Sequence, residues 1–552
     1  MREDVIRVKA EPVPPKAEQY MVPMRDGIMI ASDVYLPAAD ASVETVLVRL
    51  PYDKDSRYVF MDKVAPHFTS RGYAVVVQDV RGKFRSGGET IGLVNESEDG
   101  YDSIEWIVQQ PWSNGIVGMF GDSYYGFTQW AAVSAEHSAL KAIVPRVTSA
   151  DLFSEPVHGT TSDVPWLVAA DYLAHYWVDN EIQEFPLDYD RRPITAIFED
   201  AFSRIGARSR LYDMLVPEVQ PIDSFPFGHP FDASPVPVLH VVGWFDNILI
   251  PSMRDYVALS RRTEWAKHQY LSADSVDHEN YHLSAAPIHP DDDHHASEKA
   301  LQRLLVMYVT PALDFFDVFL KGTRSEDSIP KVSWHLGHVG YRESPSWPPP
   351  EASEIRMALS NLSEASDGRG VLSTAPAVEG DVATWVHDPG DLVPSSVEDS
   401  FAFLLWYPDE QSLLARPDVV SFVSVPFMDC LDIAGPVDLQ VTVSSTAPST
   451  DVFAKLLDLA PDGSARLIVR GQAALLEPSG SAPVTIGLGH VGYRVQPGHR
   501  LCLALFSSDF PEFVPHPGTA KNRWTAIETA KSTQVLSSHP AAPSCLVLMA
   551  LA

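Results

Sequence analysis

Residues 118–130 of the chain read GMFGDSYYGFTQW, and this stretch is the most informative about the fold of the first half of the protein. The apolar run that ends at Phe120 predicts a β-strand, and a helix is predicted to begin near Gly126 and to continue through residues 127–138. Ser123 lies between them, on a tight corner that would expose its hydroxyl above the sheet. A serine in this position is a candidate nucleophile, although Gly126 follows it one residue later than in the common G-x-S-x-G spacing.

Apolar and helical stretches alternate on both sides of this corner. Strands are predicted at residues 28–36, 45–50, 73–80, 116–120, 140–144 and 236–243. Helices are predicted at residues 59–71, 98–110 and 297–321. Strands that alternate with helices indicate a mostly parallel sheet that is covered by helices.

Two regions depart from this alternating pattern. Residues 150–235 carry aromatic-rich helical stretches, which predict a helical cap over a site, with a plain structural insertion as the alternative. From residue 336 to 552, short β-rich runs separated by turn residues predict a jelly-roll β-sandwich. The chain is therefore expected to contain an α/β domain (1–149 and 236–335), a cap and a β domain. The proline-rich stretch at 343–353 is the best linker candidate.

The composition is that of a globular protein with a large core. With 552 residues, 60.8 kDa and 45% hydrophobic content, the chain is long enough for two or three domains. Its 41 basic and 73 acidic residues give a formal net charge of −32, which disfavours nucleic acid and anionic membrane surfaces as partners. Since we find no leader peptide and no apolar stretch of membrane-spanning length, we expect a cytoplasmic protein. A homo-oligomer is compatible with these features.

Neither a metal site nor a cofactor is predicted. The three cysteines, Cys430, Cys502 and Cys545, lack metal-site spacing and are expected to be buried thiols rather than a disulfide framework or a zinc site. The run IHPDDDHH at 288–295 has metal-ligating residue types, but we interpret it as a solvated acidic loop.

A nucleophilic serine requires a histidine base and a carboxylate that orients the base, and both are available downstream. Asp246 lies just past the carboxyl end of the strand VPVLHVVG, where open α/β sheets build their sites. His278 follows another apolar stretch, in a segment predicted to be a loop, and is the preferred base. His282 is the second candidate. His240 lies inside a strand and is interpreted as a packed core histidine.

Further motifs accompany the serine corner. They are VPMRDGIMIASDVYLP (22–37), LPYDK (50–54), QDVRGKFRSGGE (78–89), ESEDGYDSIEWIVQQPWSNGIVGMFGDSYYG (96–126) and VVGWFDN (241–247). Together with the β-rich C-terminal third, they resemble the CocE/NonD hydrolases, which include bacterial cocaine esterase, α-amino acid ester hydrolases and X-prolyl dipeptidyl aminopeptidases. The resemblance covers almost the whole chain, and the elbow of that family has the same G-x-S-Y-x-G spacing.

The resemblance implies an α/β-hydrolase fold with Ser123 as nucleophile and with Asp246 and His278 as its partners. It also implies an oxyanion hole with two donors, the backbone N–H of Tyr124 and the hydroxyl of Tyr52. A phenol stays protonated at neutral pH and can therefore donate a hydrogen bond to a developing oxyanion. Without the resemblance, Tyr52 would be interpreted as a buried tyrosine packed on the sheet.

Two positions depart from the family pattern. The family often presents its histidine in a G-P-W-x-H stretch, whereas residues 274–277, which precede His278, read DSVD. Asp122, directly before the nucleophile, is an unusual charge at an elbow. It is either solvated or hydrogen-bonded to the turn.

The residues that follow the predicted triad acid indicate the substrate. α-Amino acid ester hydrolases have carboxylates two and three residues after this acid, where these side chains bind a substrate ammonium group, whereas here the two positions are Ile248 and Leu249. Burying an ammonium group against them would be penalised. We therefore predict a carboxylic ester hydrolase for small-molecule esters with a neutral, apolar acyl group. Ile248, Leu249 and cap aromatics such as Trp166 are expected to line its pocket.

Two other functions are compatible with the same residues. The first keeps the triad but cleaves amides, as β-lactam acylases and X-prolyl peptidases do. The second belongs to another class: a non-catalytic carbohydrate-binding protein, in which the jelly roll binds the sugar and the hydrolase domain is inert.

Overall fold

The computed structural model of the chain contains two large sheets, one in each half of the sequence. It describes residues 5–38, 41–152, 164–283, 289–375, 381–396, 408–478, 480, 483–539 and 543–551. Residues 153–163 of the predicted cap and Ile288 of the predicted acidic loop lie outside the described residues.

The first sheet has ten strands and is mostly parallel. The strands of this half of the chain are β1 (Ile6–Val8), β2 (Glu18–Pro23), β3 (Met29–Tyr35), β4 (Val43–Leu50), β5 (Ala74–Asp79), β6 (Ser113–Asp122), β7 (Leu140–Arg146), β8 (Ile182–Glu184), β9 (Val238–Gly243), β10 (Gln269–Asp274), β11 (Val332–Leu336) and β12 (Gly340–Ser344). Their order in the sheet is β12-β11-β10-β9-β7-β6-β4-β5-β3-β2. Antiparallel pairs occur at its ends, between β2 and β3, β3 and β5, and β11 and β12.

Helices cover this sheet and connect its strands. In the described part of the chain they are α1 (Met61–Ser70), α2 (Glu96–Val108), α3 (Ser123–Ser134), α4 (Leu167–Tyr176), α5 (Thr195–Ile205), α6 (Arg210–Leu215), α7 (Leu249–Arg261), α8 (Glu298–Phe319) and, in the second half, α9 (Gln411–Leu414). Helix α1 shows why they form: Met61, Val64, Ala65 and Phe68 recur at helical spacing and are buried. No described helix has both the length and the apolar character needed to cross a membrane.

The second sheet system is all β and mostly antiparallel. Its strands are β13 (Ala352–Ser360), β14 (Gly370–Ser373), β15 (Val382–His387), β16 (Val420–Val423), β17 (Leu431–Ser445), β18 (Ser449–Leu459), β19 (Ala465–Leu476), β20 (Val484–Val495), β21 (Arg500–Phe506), β22 (Ser532–Ser537) and β23 (Cys545–Leu551). They follow the order β15-β22-β17-β23-β13-β14-β16-β21-β18-β19, and β20 pairs with β17. Their inward-facing apolar residues form one large core cluster.

These observations confirm the predicted fold class: an α/β-hydrolase domain with helices α4 to α6 inserted between β7 and β9, followed by a jelly-roll domain. The proline-rich stretch at 343–353 runs from the end of β12 to the start of β13. His240 is buried in β9 and bonds Gln269 through Nε2 (2.7 Å), as expected of a core histidine.

Three sequence-based expectations differ from the structure. Helix α3 begins at Ser123 rather than near Gly126, since the chain turns directly from strand into helix at the serine. The boundary predicted between residues 335 and 336 falls inside the hairpin of β11 and β12, which extends the first sheet to Ser344. Cys430 is exposed, since it lies in the connection between β16 and β17, whereas the other two thiols are buried.

Candidate active site

The corner at Ser123 has the strained backbone of a nucleophile elbow. Ser123 has a φ of 52°, in the left-handed region, directly between β6 and α3. A residue with a side chain pays about 1–3 kcal/mol for this conformation, and such residues concentrate at functional sites. The corner also leaves the Tyr124 N–H in the first turn of α3, where a backbone donor has no intrahelical partner.

Two close contacts explain both glycines of the G-x-S-Y-x-G stretch. A Cβ at Gly121, which has a φ of +147°, would lie 2.0 Å from Cδ2 of Tyr125. A Cβ at Gly126 would lie 2.4 Å from Cγ2 of Thr148. The hydroxyl of Thr148 in turn donates to the carbonyl oxygen of Ser123 (2.6 Å). The displaced second glycine therefore lets the elbow pack against the loop after β7.

Asp122 is not solvated, and its side chain makes no capping hydrogen bond to the turn that follows it. It is buried, and its Oδ1 accepts hydrogen bonds from Nε of Arg146 (2.8 Å) and from the hydroxyl of Tyr308 (2.9 Å). Nη2 of Arg146 also donates to Oδ1 of Asn280 (3.0 Å), two residues after His278. Arg146 thus connects the serine corner to the histidine loop. Nothing in the sequence around Arg146 indicated this role.

The structure brings His278 and Asp246 together. Nδ1 of His278 lies 2.8 Å from Oδ1 of Asp246, and both side chains are buried. Asp246 follows β9, and the backbone N–H of Ile248 donates to the same carboxylate oxygen (3.0 Å). A carboxylate bound to Nδ1 orients the imidazole so that, in its neutral form, Nε2 is the atom that accepts a proton.

The surroundings of His278 favour its charged form. Burial acts to lower the pKa of this imidazole, but the charge and hydrogen bond of Asp246, together with the charges of Glu279 and Asp122, raise it to about 9. In the resting protein the imidazole therefore carries a proton at neutral pH. A base of this kind becomes available as the pH rises.

Tyr52 lies two residues after β4 and points to the serine corner. Its hydroxyl is within hydrogen-bonding reach of the Ser123 side chain and of the Tyr124 backbone N–H. It also bonds the hydroxyl of Tyr172 on α4 (3.3 Å). Burial raises the pKa of Tyr52 to about 12, although these hydrogen bonds oppose the shift. The phenol consequently stays protonated and remains a donor across the physiological pH range.

A buried network of charges holds the loop that carries Tyr52. Nζ of Lys54 lies 2.8 Å from Oδ1 of Asp33 and 2.6 Å from Oδ2 of Asp55, and all three side chains are fully buried. Arg85 adds a further contact to Asp55 (2.8 Å). Charged residues of the motifs LPYDK and QDVRGKFRSGGE therefore belong to one cluster.

Lys83, from the same motif, anchors the inserted helices. Its Nζ donates to the carbonyl oxygens of Tyr176 (2.6 Å), Asp179 (3.0 Å) and Glu181 (3.0 Å), just after α4. The N-terminal strand β1 also pairs with β8 in this region. The inserted helices are therefore fastened to the α/β domain at the side where Tyr52 emerges.

These side chains surround a cavity of about 330 Å³. Ser123, His278 and Tyr52 line it, and so do two of the three predicted pocket residues, Trp166 and Ile248. The remaining lining is mainly aromatic and acidic: Tyr58, Phe60, Tyr125, Tyr172, Tyr176, Tyr189, Asp122, Asp171, Glu279 and Glu512. The cavity is therefore an aromatic chamber with the serine corner in its wall.

The jelly-roll domain contributes to this chamber. Pro511 and Glu512, in the segment after β21, line the cavity. The carbonyl oxygen of Glu512 accepts a hydrogen bond from the N–H of Leu167 at the start of α4 (2.9 Å), and Trp166 pairs with Phe513. The β domain thus closes one wall of the site, which no local sequence pattern indicated.

Two predicted residues lie elsewhere. Leu249, expected to line the pocket, instead packs in the core cluster shared by α7 and the jelly-roll strands, near Gly489, because the first turn of α7 directs it to that domain. His282, the second candidate base, has its Nε2 3.0 Å from Oδ1 of Asp274 and is not part of the cavity lining. The interpretation of the 288–295 run as a solvated loop is wrong at its end: His289 and Asp291 are exposed, but His294 is buried and lines the cavity together with His295.

An α/β-hydrolase sheet with a serine at its strand-to-helix corner and a carboxylate-bound histidine in the same cavity defines the class of serine hydrolases. Comparison with known proteins agrees with this. The family model described as "X-Pro dipeptidyl-peptidase (S15 family)" matches residues 26–279. The model described as "X-Pro dipeptidyl-peptidase C-terminal non-catalytic domain" matches residues 324–547.

Individual relatives align over nearly the whole chain. The cocaine esterase of Rhodococcus sp. (strain MB1 Bresler) is 30% identical over 96% of this chain and 98% of its own. Among solved structures, an aminopeptidase from a marine sediment archaeon (Thaumarchaeota archaeon) superposes with a TM-score of 0.81 at 21% identity, covering 99% of both chains. An α-amino acid ester hydrolase superposes with a TM-score of 0.79 at 22% identity, covering 99% of this chain and 97% of that one.

The chain belongs to the CocE/NonD family of serine hydrolases and is a serine ester hydrolase. The fold likeness extends to a CocE/NonD family hydrolase from Staphylococcus aureus, with a TM-score of 0.61 at 17% identity over 100% of this chain and 97% of that one.

Proposed function

We propose that the protein hydrolyses carboxylic esters with a neutral, apolar acyl group through an acyl-enzyme intermediate. The proposal is based on the position of four side chains. Ser123 on a strained corner, the His278–Asp246 pair and the protonated hydroxyl of Tyr52 all meet at one aromatic cavity. These are a nucleophile, an oriented base and an oxyanion donor, which together suffice for acyl transfer.

The first half of the reaction acylates the serine. Nε2 of His278 takes the proton from the hydroxyl of Ser123 as the serine oxygen attacks the ester carbonyl carbon. The Tyr52 hydroxyl and the Tyr124 N–H donate to the resulting oxyanion. The tetrahedral intermediate then collapses, the ester C–O bond breaks, and the proton passes from His278 to the departing alcohol.

The second half releases the acid. His278 takes a proton from water, the hydroxide oxygen attacks the acyl carbon, and the same two donors hold the second oxyanion. Collapse returns the proton to Ser123 and frees the carboxylic acid. In both halves, Asp246 keeps the imidazole in the correct tautomer and stabilises its charged form.

The charges of the cavity support a neutral acyl group. Each carboxylate that lines the cavity lies close to a cationic or ionisable partner. The pairs are Asp122 with Arg146 (2.8 Å), Asp171 with His175 (2.6 Å), Glu279 with His295 (3.3 Å) and Glu512 with Arg470 (2.6 Å). A substrate ammonium group would have to compete with one of these partners for its carboxylate, and burial makes disturbing such a pair costly. An apolar acyl group instead packs on aromatic rings and on Ile248.

The predicted cap of residues 150–235 has a defined part in this proposal. Its helix α4 supplies Trp166 at the N-terminal end and Tyr172 and Tyr176 along its length, and all three line the cavity. We expect this helix to select the acyl group, because its aromatic rings line the same cavity as Ser123 and apolar Ile248.

The rate should depend on pH through His278. We expect kcat/KM to rise with pH up to the raised pKa of about 9, because only the neutral imidazole can accept the serine proton. Replacing Glu279 by glutamine removes a negative charge that raises this pKa, so the acidic limb of the profile should move to lower pH. Glu264→Gln, at an exposed position outside the cavity, is the control and should leave the limb in place. An unmoved limb in Glu279→Gln would contradict this electrostatic coupling.

Tyr52→Phe should lower kcat by about 100- to 1000-fold, because one of the two oxyanion donors is lost while the ring remains. The effect is measured as steady-state hydrolysis of an aryl ester. Tyr35→Phe is the matched control, because Tyr35 is also buried but lies on β3 outside the cavity, and it should retain activity. Equal activity of the two variants would remove Tyr52 from the oxyanion hole.

A substrate comparison tests the ester preference. The purified protein is given a simple aryl ester of a neutral acid and, in parallel, an X-Pro anilide, and kcat/KM is compared. Faster turnover of the ester supports the proposal. Faster turnover of the anilide would favour the amide-cleaving alternative and overturn it.

A further inference from the structure

Outside the cavity, three side chains with metal-ligating atoms converge at the base of the histidine loop. Asp274 is the last residue of β10, His282 closes the loop by bridging to Val276, and His335 lies on β11. One ligand atom from each of these three residues lies within 4.8 Å of those of the other two. None of them takes part in the proposed ester hydrolysis.

The three residues come from separate segments. In the sequence, metal-ligating residue types are concentrated in the 288–295 run. The cluster in the structure does not include that run and combines residues 274, 282 and 335. Parallel pairing of β10 with β11 brings the ends of the two strands together. The bridge between Val276 and His282 then folds the loop back onto Asp274. Only the tertiary structure could assemble this group.

The atoms around the cluster orient its ligands. Nδ1 of His335 bonds the hydroxyl of Ser275 (2.7 Å), which fixes the plane of the ring. The hydroxyl of Tyr341 donates to Oδ2 of Asp274 (2.6 Å), which leaves Oδ1 directed at Nε2 of His282 (3.0 Å). Protein metal sites characteristically show this outer layer, in which neighbouring groups fix the rings and carboxylates that bind the ion.

The cluster is also accessible. The side chains of Asp274 and His282 are 21% and 22% exposed, whereas His335 is buried. Two imidazoles and a carboxylate are a common donor set for Zn²⁺, with the fourth tetrahedral position left to water. In such a site each ligand atom lies about 2.0–2.2 Å from the ion, and the ligand atoms lie about 3.4 Å from one another. The separations in the cluster are at most 4.8 Å, so the widest of them must shorten by no more than about 1.4 Å.

We infer that Asp274, His282 and His335 form a site for a divalent transition-metal ion, with Zn²⁺ as the best fit, at the base of the loop that carries His278. The ion would bind both ends of this loop and β11 at once. Its bonds would add to the backbone hydrogen bond from Leu283 to Ser275 (2.6 Å) that already closes the loop. The site would therefore stabilise the position of the proposed catalytic base without contacting the substrate.

Zinc binding to the full-length protein tests this inference directly. The protein is stripped with a chelator, and Zn²⁺ is titrated in competition with a chromophoric zinc indicator, with the metal content measured after dialysis. We expect one Zn²⁺ per chain and a higher melting temperature with zinc. His282→Gln and His335→Gln should each remove this binding. Ser275→Ala should weaken it by about 10- to 100-fold, since it frees the His335 ring.

His289→Gln provides the matched control. His289 is an exposed histidine of the 288–295 run, and its loss should leave zinc binding unchanged. If His335→Gln does not fold, His282→Gln decides the question, because His282 is partly exposed. Absence of stoichiometric binding to the unaltered protein, or unchanged binding in His282→Gln, would overturn the inference. Neither readout uses ester hydrolysis, so the two proposals can fail separately.

Discussion

Replacing Ser123 by alanine is expected to lower kcat for ester hydrolysis by about a millionfold, the loss seen when the nucleophile is removed from a serine hydrolase triad. The remaining protein keeps Tyr52 and the backbone donor at Tyr124, so a residual rate above that in water should persist. The measurement is steady-state turnover of an aryl ester, with the thermal melting curve recorded for both proteins. The melting temperature should stay close to that of the unaltered protein, since the side chain changes by one oxygen.

Covalent labelling provides the second measurement for this position. An organophosphonate should modify Ser123 in a one-to-one ratio, because only an activated hydroxyl reacts, and it should not modify the alanine variant. Ser70→Ala, which removes an exposed hydroxyl at the end of α1, should be labelled and should turn over as the unaltered protein does. An unlabelled native protein would favour a non-catalytic, carbohydrate-binding role.

Asp246→Asn is expected to lower kcat by about 10,000-fold, because the amide no longer fixes the His278 tautomer or stabilises its charged form. The side chain keeps its shape, and its oxygen can still accept the hydrogen bond from the N–H of Ile248. The loss therefore reports the charge and orientation of the pair rather than packing. It is measured with the same aryl ester at several pH values.

Asp246 also raises the pKa of His278, so Asp246→Asn should change the pH dependence of the activity as well as its size. The residual activity should have its acidic limb at lower pH than in the unaltered protein, because the imidazole has lost its negative partner. Asp232→Asn, at a surface residue bonded to Arg262, is the control and should change neither quantity. A loss of activity below about tenfold would exclude Asp246 as the triad acid.

The hydrophobic pattern of neighbouring residues made the strands and helices of the α/β domain predictable. Strand β5 reads AVVVQD, and its six residues are all buried, as expected of an internal strand of the sheet with both faces covered. The serine corner was equally predictable, because close packing around it requires glycine at positions 121 and 126, and both glycines are visible in the sequence. Patterns of this kind arise from interactions between residues that are close in the chain, so they can be recognised in the sequence.

Contacts between distant segments were not predictable in this way. Arg146 bonds both Asp122 and Asn280, and its sequence neighbours give no sign of either partner. The error at Leu249 has the same origin, since its place was inferred from spacing after Asp246 whereas the first turn of α7 directs it to the jelly roll. Spacing along the chain does not determine which way a helix faces when two domains compete for its surface.

The sequence alone was enough to predict the alternation of strands and helices in the first half of the chain, the strand-to-helix corner at Ser123 and the β-rich second half. These features arise from alternating hydrophobicity and turn residues, which involve neighbouring residues and can therefore be recognised in the sequence. Residue types and resemblance named Asp246 and His278 as partners, but only the folded chain shows their 2.8 Å contact, the part of the cavity wall that Glu512 adds and the meeting of Asp274, His282 and His335. Each of these contacts depends on which strands pair and on how the two domains pack. The free energy that favours this packing comes from contacts throughout the core, so no single segment of the sequence reveals it.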